Sequence, residues 1–498
     1  MKEEQYMLDI KEKDKMSQLL AELASETQSF NFFGKKTSFP YLDCVIPGKN
    51  GINAIHVPSN SLCVVYSQGG DSKEKDLVKY SQSVVKNIIN AGNSIQSEIV
   101  GIANVIDASS TDEGLVRVVG ESLRDAAKHY RVPILNGELA NLGKRVNCEC
   151  NITSTGIGFI SRNSQFLKKV PGSFSYYDEK SEKENCFGVF DPKGKPVIIN
   201  SDGIGTKTEF YERFEKYSEG VIDFFAMNLD DCIKLGATPQ VISGLIEYSG
   251  NVPVEDIINR ANSKAKELGI VSIMQDENVG DRIKGYFSPF NISGSVVSTI
   301  DVRRLASLPS PRPGDSLISI RGKPNPRSNG ITVKRELMER LFGRHWNNLD
   351  EGKIFGKYLA EPSTIFYPVF KELFDAGLAT SVYHMSGGAF NGKLAKPIAR
   401  HGLYVEIGKN SNEELFDPDW REVLMASYCS SIESCYEKWP MGNEGFVTTS
   451  LPGSAIAMIC EHDLEAKVVG KLEKRSDGKT GIKLKAFNGK EIIFNGLG

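Results

Sequence analysis

The chain has 498 residues, with 60 Lys and Arg against 63 Asp and Glu, for a formal net charge of −3 and a pI near 6.2. That length suits about three domains at roughly 150 residues each, and the balanced charge argues against a dedicated nucleic-acid binder, which carries a basic stripe. With 40% hydrophobic and 25% charged residues, no membrane-length apolar run, no signal-peptide core in MKEEQYMLDIKEKDKM and nine scattered cysteines, the expectation is a reduced, cytoplasmic, globular protein.

Residues 1–30 are charged, with Met16, Leu19, Leu20 and Leu23 at helical spacing, and predict a surface helix leading into irregular chain. Two stretches have connector composition: PGSFSYYDEKSEKENC at 171–186 and SLPSPRPGD at 307–315. The segments they bound carry an internal repeat. CNITSTGIGFIS from Cys150 corresponds to FNISGSVVSTID from Phe290, an offset of about 140 residues. VPIL from Val132 matches VSIM from Val271, and SQGGDSK (Ser67 to Lys73) lies over SDGIGTK (Ser201 to Lys207), each after a β-branched strand. A period this long is no solenoid unit; it implies a duplicated α/β domain. Beyond about 310 the pattern changes: a strand GDSLISI, helices over 330–342 and 362–376, strands GLYVEI and AIAMIC, and a closing hairpin KLKAFNGKEIIF. The expected division is an N-terminal lead (1–50), a first α/β copy (51–170), a second (185–306) and a single α+β domain (312–498).

The densest candidate for chemistry is SDGIGTKTEF (Ser201 to Phe210). Gly203 and Gly205 let backbone approach a phosphate, Lys207 supplies a point charge and Asp202 can hold a divalent metal. It is not a Walker A loop, and a Gly turn between strand and helix is the plain alternative. About 25 residues on, AMNLDDCIKLGATP places Asp230 and Asp231 on a helix; carboxylates facing substrate phosphates suit Mg²⁺, while an acidic solvated face is the alternative. Cys148 and Cys150 form a lone CxC without partners at zinc spacing, which reads as buried thiols. No nucleophilic triad appears among the six histidines.

DGIGTK followed by MNLDDCIKLGATP resembles the ATP-grasping domain of the aminoimidazole ribonucleotide synthetase (phosphoribosylformylglycinamidine cyclo-ligase) family. RSNGITVKREL (Arg327 to Leu337), YLAEPSTIFYPVFKEL, HMSGGAFNGKLAKPI (His384 to Ile398) and WPMGNEGF resemble that family's C-terminal signatures in the same order. The resemblance implies two synthetase-type domains paired within one chain into a pseudo-dimeric barrel, plus a C-terminal α+β domain. It implies ATP and Mg²⁺ as cofactors and ring closure of a phosphoribosyl purine intermediate, formylglycinamidine ribonucleotide. Another phosphoryl-transferring synthetase or kinase of the superfamily, and a non-catalytic nucleotide-binding paralogue, are the alternatives. As implied sites, Asp202, Asp231, Glu277 and Glu138 hold metal, and Asp202, Lys207 and Asp231 carry catalysis. Gly203, Gly205, Thr206, Lys207, Asn228, Ser328, Asn329, His384, Gly387 and Gly388 bind ATP or phosphate. Expected partners are small molecules only, with no nucleic acid or membrane, in a monomer or a homodimer.

Three features depart from that pattern: KENCFGVFDPKGKP replaces a glycine-rich loop, Arg327 replaces a His, and MQDENVGD replaces GGETAEM while keeping Glu277. The first copy departs further. Gln68 stands for Asp202 and Asn87 for Asp231, removing the charges that hold Mg²⁺, although Lys73 lies over Lys207. That copy keeps LNGELAN, so Glu138 is either a ligand lent across the interface or a helix cap.

Overall fold

The β-branched runs form two six-stranded sheets of identical order. The computed structural model describes residues 2–28, 45–47, 53–167, 172–178, 183–328, 330–408 and 414–496. They fall into two units, Met1–Phe224 with Ala237–Ser307, and Phe225–Gly236 with Leu308–Gly498. In the first unit the chain runs through α1 (Lys2–Gln28), β1 (Val45–Pro47), β2 (Asn53–Ile55), β3 (Ser61–Gly69), α2 (Leu77–Ser94), β4 (Glu98–Ala108), α3 (Glu113–Tyr130), β5 (Ile134–Asn141) and β6 (Cys150–Ser161). It continues with β7 (Gly172–Asp178), β8 (Lys183–Phe190), β9 (Val197–Gly203), α4 (Thr208–Arg213), the start of α5 (Gly220–Ile233, whose residues from Phe225 on belong to the second unit), β10 (Thr238–Tyr248), α6 (Val254–Leu268), β11 (Val271–Asn278), β12 (Phe290–Thr299) and α7 (Val302–Ala306).

One sheet is ordered β5-β4-β6-β3-β8-β7 and the other β11-β10-β12-β9-β2-β1. In each, one parallel pair (β4–β5, β10–β11) sits beside antiparallel ladders. The outer hairpins are exchanged: β1–β2 precedes the first copy but completes the second sheet, and β7–β8 completes the first. This corrects one expectation. Residues 171–186 are not a connector: their described part carries β7 and the start of β8, because YY and CFGVF supply the aromatic and β-branched residues that suit a strand.

Ile55, Cys63, Val65, Val100, Ile157, Phe159, Val197, Ile199, Val241, Ile273 and Val297 interleave between the sheets in one core. The fit there is close. A Cβ on Gly188 would stand 2.6 Å from Val241, and one on Gly294 would stand 2.1 Å from the Ser243 carbonyl oxygen. Gly294→Ala is expected to lower the unfolding free energy by about 1–3 kcal/mol through overpacking, read from urea midpoints. The outer face of the first sheet is covered by α2 and α3, with Val84, Val85, Ile88, Val116, Val119 and Leu123 buried. The N-terminal helix is more than a surface helix: Met16 and Leu23 are buried, and Gly120 of α3 lets Leu23 approach, a Cβ there meeting it at 2.7 Å.

The second unit runs through β13 (Ser316–Arg321), α8 (Ile331–Phe342), α9 (Asp350–Leu359), α10 (Tyr367–Asp375), β14 (Ser381–His384), α11 (Lys396–Arg400) and β15 (Tyr404–Glu406). Then come α12 (Trp420–Ala426), α13 (Ile432–Lys438), β16 (Gly445–Thr449), α14 (Pro452–Cys460), β17 (Glu465–Lys471), β18 (Gly481–Lys485) and β19 (Glu491–Phe494). A sheet β14-β16-β13-β17 and a three-stranded sheet β15-β18-β19 result, the latter closed by the expected hairpin. AIAMIC, expected as a strand, is the body of α14: Pro452 starts the helix, and Ala455 and Ile459, four apart, take its buried face. The helix expected from Pro362 starts only at Tyr367.

Candidate functional site

In the first unit β9 ends at Gly203, and Gly205, at φ 67°, turns the chain into a 3₁₀ turn and then α4. Only a residue without a Cβ adopts that φ readily. Asp202 Oδ1 accepts the Gly203 N–H at 2.8 Å. Thr206 is buried, and Lys207 is wholly buried, its Nζ 3.0 Å from Asp223 Oδ1 and 2.8 Å from Oδ2. Asp223 also accepts from the Tyr211 hydroxyl. In this structure the Lys207 ammonium faces Asp223 inside the fold; a buried cation needs a buried anion, and Asp223 provides it. Lys73 of the first copy is exposed, so it is no counterpart to Lys207 in environment.

The loop is held by a residue the sequence reading missed. Arg145, 5% exposed and from the first copy, donates through Nη2 to Thr208 Oγ1 (2.7 Å), Glu212 Oε1 (2.6 Å) and the Phe290 carbonyl (3.1 Å). Its only signal was a basic residue seven places after Glu138, matched by Arg282 five places after Glu277.

The four acids expected to hold metal are not all neighbours. Asp202 and Glu277 lie on β9 and β11, separated by β12 and β10, roughly 14 Å at the usual strand spacing. The Glu277 carboxylate lies instead against Gly69 of β3, where a Cβ would be 3.1 Å from Oε2. The strand carrying Asp202 packs on the strand carrying Glu138, with Asn136 Nδ2 donating to the Ile199 carbonyl at 3.0 Å. Glu138 is partly exposed and pairs with Lys13 of α1 at 3.2 Å. At the degenerate end, Gln68 donates to Asn185 at 2.7 Å and Asn87 to the Gly69 carbonyl at 2.9 Å, so both amides serve the sheet.

Between the sheets sits a second pair of acids that the sequence did not announce. Asn291 Nδ2 donates to Asp107 Oδ2 at 2.7 Å and lies 3.5 Å from Glu247 Oε2. Burial, with each acid's negative neighbours and against the pull of Asn291, pushes Asp107 up to about 7 and Glu247 up to about 8. Both keep protons in the folded chain where an unfolded chain has released them. Their contribution is therefore complete below about pH 4 and is lost as pH rises through those values. Glu247→Gln, which cannot ionise, is expected to match wild type in acid and to become the more stable of the two as pH rises to about 8.5, as measured by denaturant titration.

In the second unit the last turns of α5 carry Asn228, wholly buried, with Asp230 and Asp231. Asp230 Oδ1 accepts the backbone N–H groups of Phe366 (2.8 Å) and Tyr367 (2.9 Å), capping the entry to α10. Its Oδ2 lies 3.3 Å from Arg327 Nη2, and Arg327, fully buried, also donates to the Thr364 carbonyl at 3.0 Å. Asp231 Oδ1 accepts from His384 Nε2 at 2.8 Å, pairs with Lys234 and lies 3.7 Å from Lys393 Nζ. Burial raises its pKa, but Lys234, Lys393 and His384 outweigh that and hold the carboxyl well below the usual range. Burial in turn lowers His384 to about 3 despite Asp231, so the ring is neutral. A carboxylate only accepts, so Nε2 carries the proton, and Nδ1 is buried with no hydrogen-bond partner.

After His384 the chain turns through Ser386, Gly387 and Gly388, the last at φ 86°, into a π-helical turn over Phe390–Ala395. Ser328 precedes α8, and Asn329 lies outside the described residues. Among the described residues no three His, Cys, Asp or Glu side chains converge as a metal cage.

Residues 184–285 match the family described as AIR synthase related protein, N-terminal domain. Over this segment the chain is similar to the AIR synthetase family. It is 28% identical over 214 residues to a phosphoribosylformylglycinamidine cyclo-ligase of Thermococcus kodakarensis, a match covering 42% of this chain and 61% of that enzyme. It is 24% identical over 348 residues to the cyclo-ligase of Methanobrevibacter smithii, covering 66% and 95%. With the first of these relatives the chain thus shares under two thirds of that enzyme's length. Among solved structures, thiamine-monophosphate kinase from Stenotrophomonas maltophilia K279a overlays at a TM-score of 0.42 with 10% identity, covering 64% of this chain and 92% of that one.

Proposed function

We propose that the chain is an ATP-dependent synthetase that closes the imidazole ring of aminoimidazole ribonucleotide from formylglycinamidine ribonucleotide. The supporting observation is the β9 turn, Asp202-Gly203-Ile204-Gly205, inside the segment similar to the family, leading into α4, where Arg145 of the first copy bonds Thr208 and Glu212. On this reading ATP phosphorylates the formyl oxygen, the amidine nitrogen attacks, and phosphate leaves. Such chemistry rests on positioning and charge neutralisation, and the rigid turn supplies the positioning. Magnesium commonly uses one or two protein carboxylates and completes its shell with phosphate oxygens and water. Asp202, half-buried at a strand end, fits that role, with Glu138, on a strand packed against β9, as the candidate second acid. When bound with ATP the ion would neutralise phosphoryl charge.

We read the paired sheets as an internal duplication forming the pseudo-dimeric barrel, with one working site at the Asp202 end. A cytoplasmic location belongs to the same reading; no helix among the described residues is long and apolar enough to cross a membrane. Glu138→Ala is expected to weaken ATP binding in calorimetry; unchanged affinity and turnover would remove the shared-site idea. The test of the reaction is product formation, read by mass from purified substrate, ATP and Mg²⁺.

One second reading has a specific observation behind it. Lys207 and Asp230 are sequestered in buried ion pairs, which suits a nucleotide-binding paralogue without turnover. ATP binding with no turnover of any purine intermediate favours it.

A further inference from the structure

The family implies a divalent ion near the acid at position 231, yet the groups around that acid do not fit one. One carboxylate oxygen is shared by a neutral imidazole and a lysine, with a second lysine 3.7 Å away. A metal ligand there would have to shed these partners and would bring two positive charges toward two ammonium groups. The count is decisive: Lys234 and Lys393 contribute two positive charges, Asp231 one negative and the neutral His384 none, leaving a net of about +1. Lys234 and Lys393 keep 36% and 28% of their side-chain surface exposed, whereas Asp231 keeps 14%. The cations therefore face outward and the anion lies behind them. His384 is 2% exposed and its Nδ1 is a buried polar atom without a hydrogen-bond partner.

We propose that Asp231 anchors a metal-free anion site, in which it orients Lys234 and Lys393 and these two ammonium groups take phosphate oxygens directly. This rests on reading the chain as a phosphate-handling synthetase, and it removes position 231 from the metal ligands. The ligand class is a phosphate ester or polyphosphate, and lysine acts as a point charge on such groups. Asp231 is a positioning residue on this account and touches no substrate.

The test uses the full-length protein. Binding of tripolyphosphate and of ribose 5-phosphate is measured calorimetrically in EDTA, and binding of Mn²⁺ alone by electron paramagnetic resonance. The proposal expects at least one phosphate probe to bind in EDTA, and Lys393→Met, a partly exposed change, to weaken it by about tenfold. Tripolyphosphate alone would mark a nucleotide subsite, ribose 5-phosphate alone a sugar-phosphate subsite. Asp231→Asn is expected to leave Mn²⁺ binding within twofold of wild type while weakening the phosphate probe. Loss of a Mn²⁺ site in Asp231→Asn, or unchanged phosphate affinity in a folded Lys393→Met, overturns the proposal. These readouts need no turnover, so failure of the cyclisation reading, seen as no product with phosphate binding intact, is distinguishable.

Discussion

Lys207→Ala lowers the unfolding free energy of the chain by about 3–5 kcal/mol, the usual cost of removing one partner from a buried ion pair. Lys207 and Asp223 are both wholly buried, 2.8 Å apart at closest. Without the ammonium, Asp223 loses its buried counter-charge, and keeping it ionised there becomes costly. Removing both charges behaves differently: Lys207→Met with Asp223→Leu is expected to recover most of the loss, since an apolar pair of similar volume is often neutral or better. Denaturant titration of the two singles and the double gives the coupling. A Lys207→Ala protein of unchanged stability but lost ATP binding would return Lys207 to the phosphate role implied by the family.

Asp202→Ala does the opposite. It is half-buried at a strand end, where its Oδ1 accepts the next residue's N–H. Unfolding free energy should stay within about 0.5 kcal/mol, while turnover falls by about 10²–10³-fold, as when one preorganised electrostatic group is removed from an active site. Stability and activity therefore separate cleanly between two residues five apart in the same loop.

Much of the α/β framework was legible because periodicity and landmark strings report on local structure. The landmark strings that begin at Ser67, Val132 and Cys150 and their partners at Ser201, Val271 and Phe290 lie in or lead into matching strands of the two sheets. The exchange of hairpins was not legible, because a strand's partner is a tertiary fact: YY and CFGVF encode extended chain and leave open which sheet they complete. AIAMIC misled for a similar reason, since a short apolar run has no decisive period and only Pro452 betrayed the helix. At the site, motif reading found Asp202 and the glycine turn. It could not see that Lys207 points inward to Asp223, or that Lys234 and Lys393 converge on Asp231 from positions 159 residues apart. Arg145 and the Asp107–Glu247 pair were invisible because their chemistry exists only once the sheets pack.

The most direct measurement is phosphate release from ATP and Mg²⁺, with and without formylglycinamidine ribonucleotide, in wild type and Asp202→Ala. The account predicts release that depends on the ribonucleotide and is lost in the variant. Release that ignores the ribonucleotide, or full activity in Asp202→Ala, would contradict it.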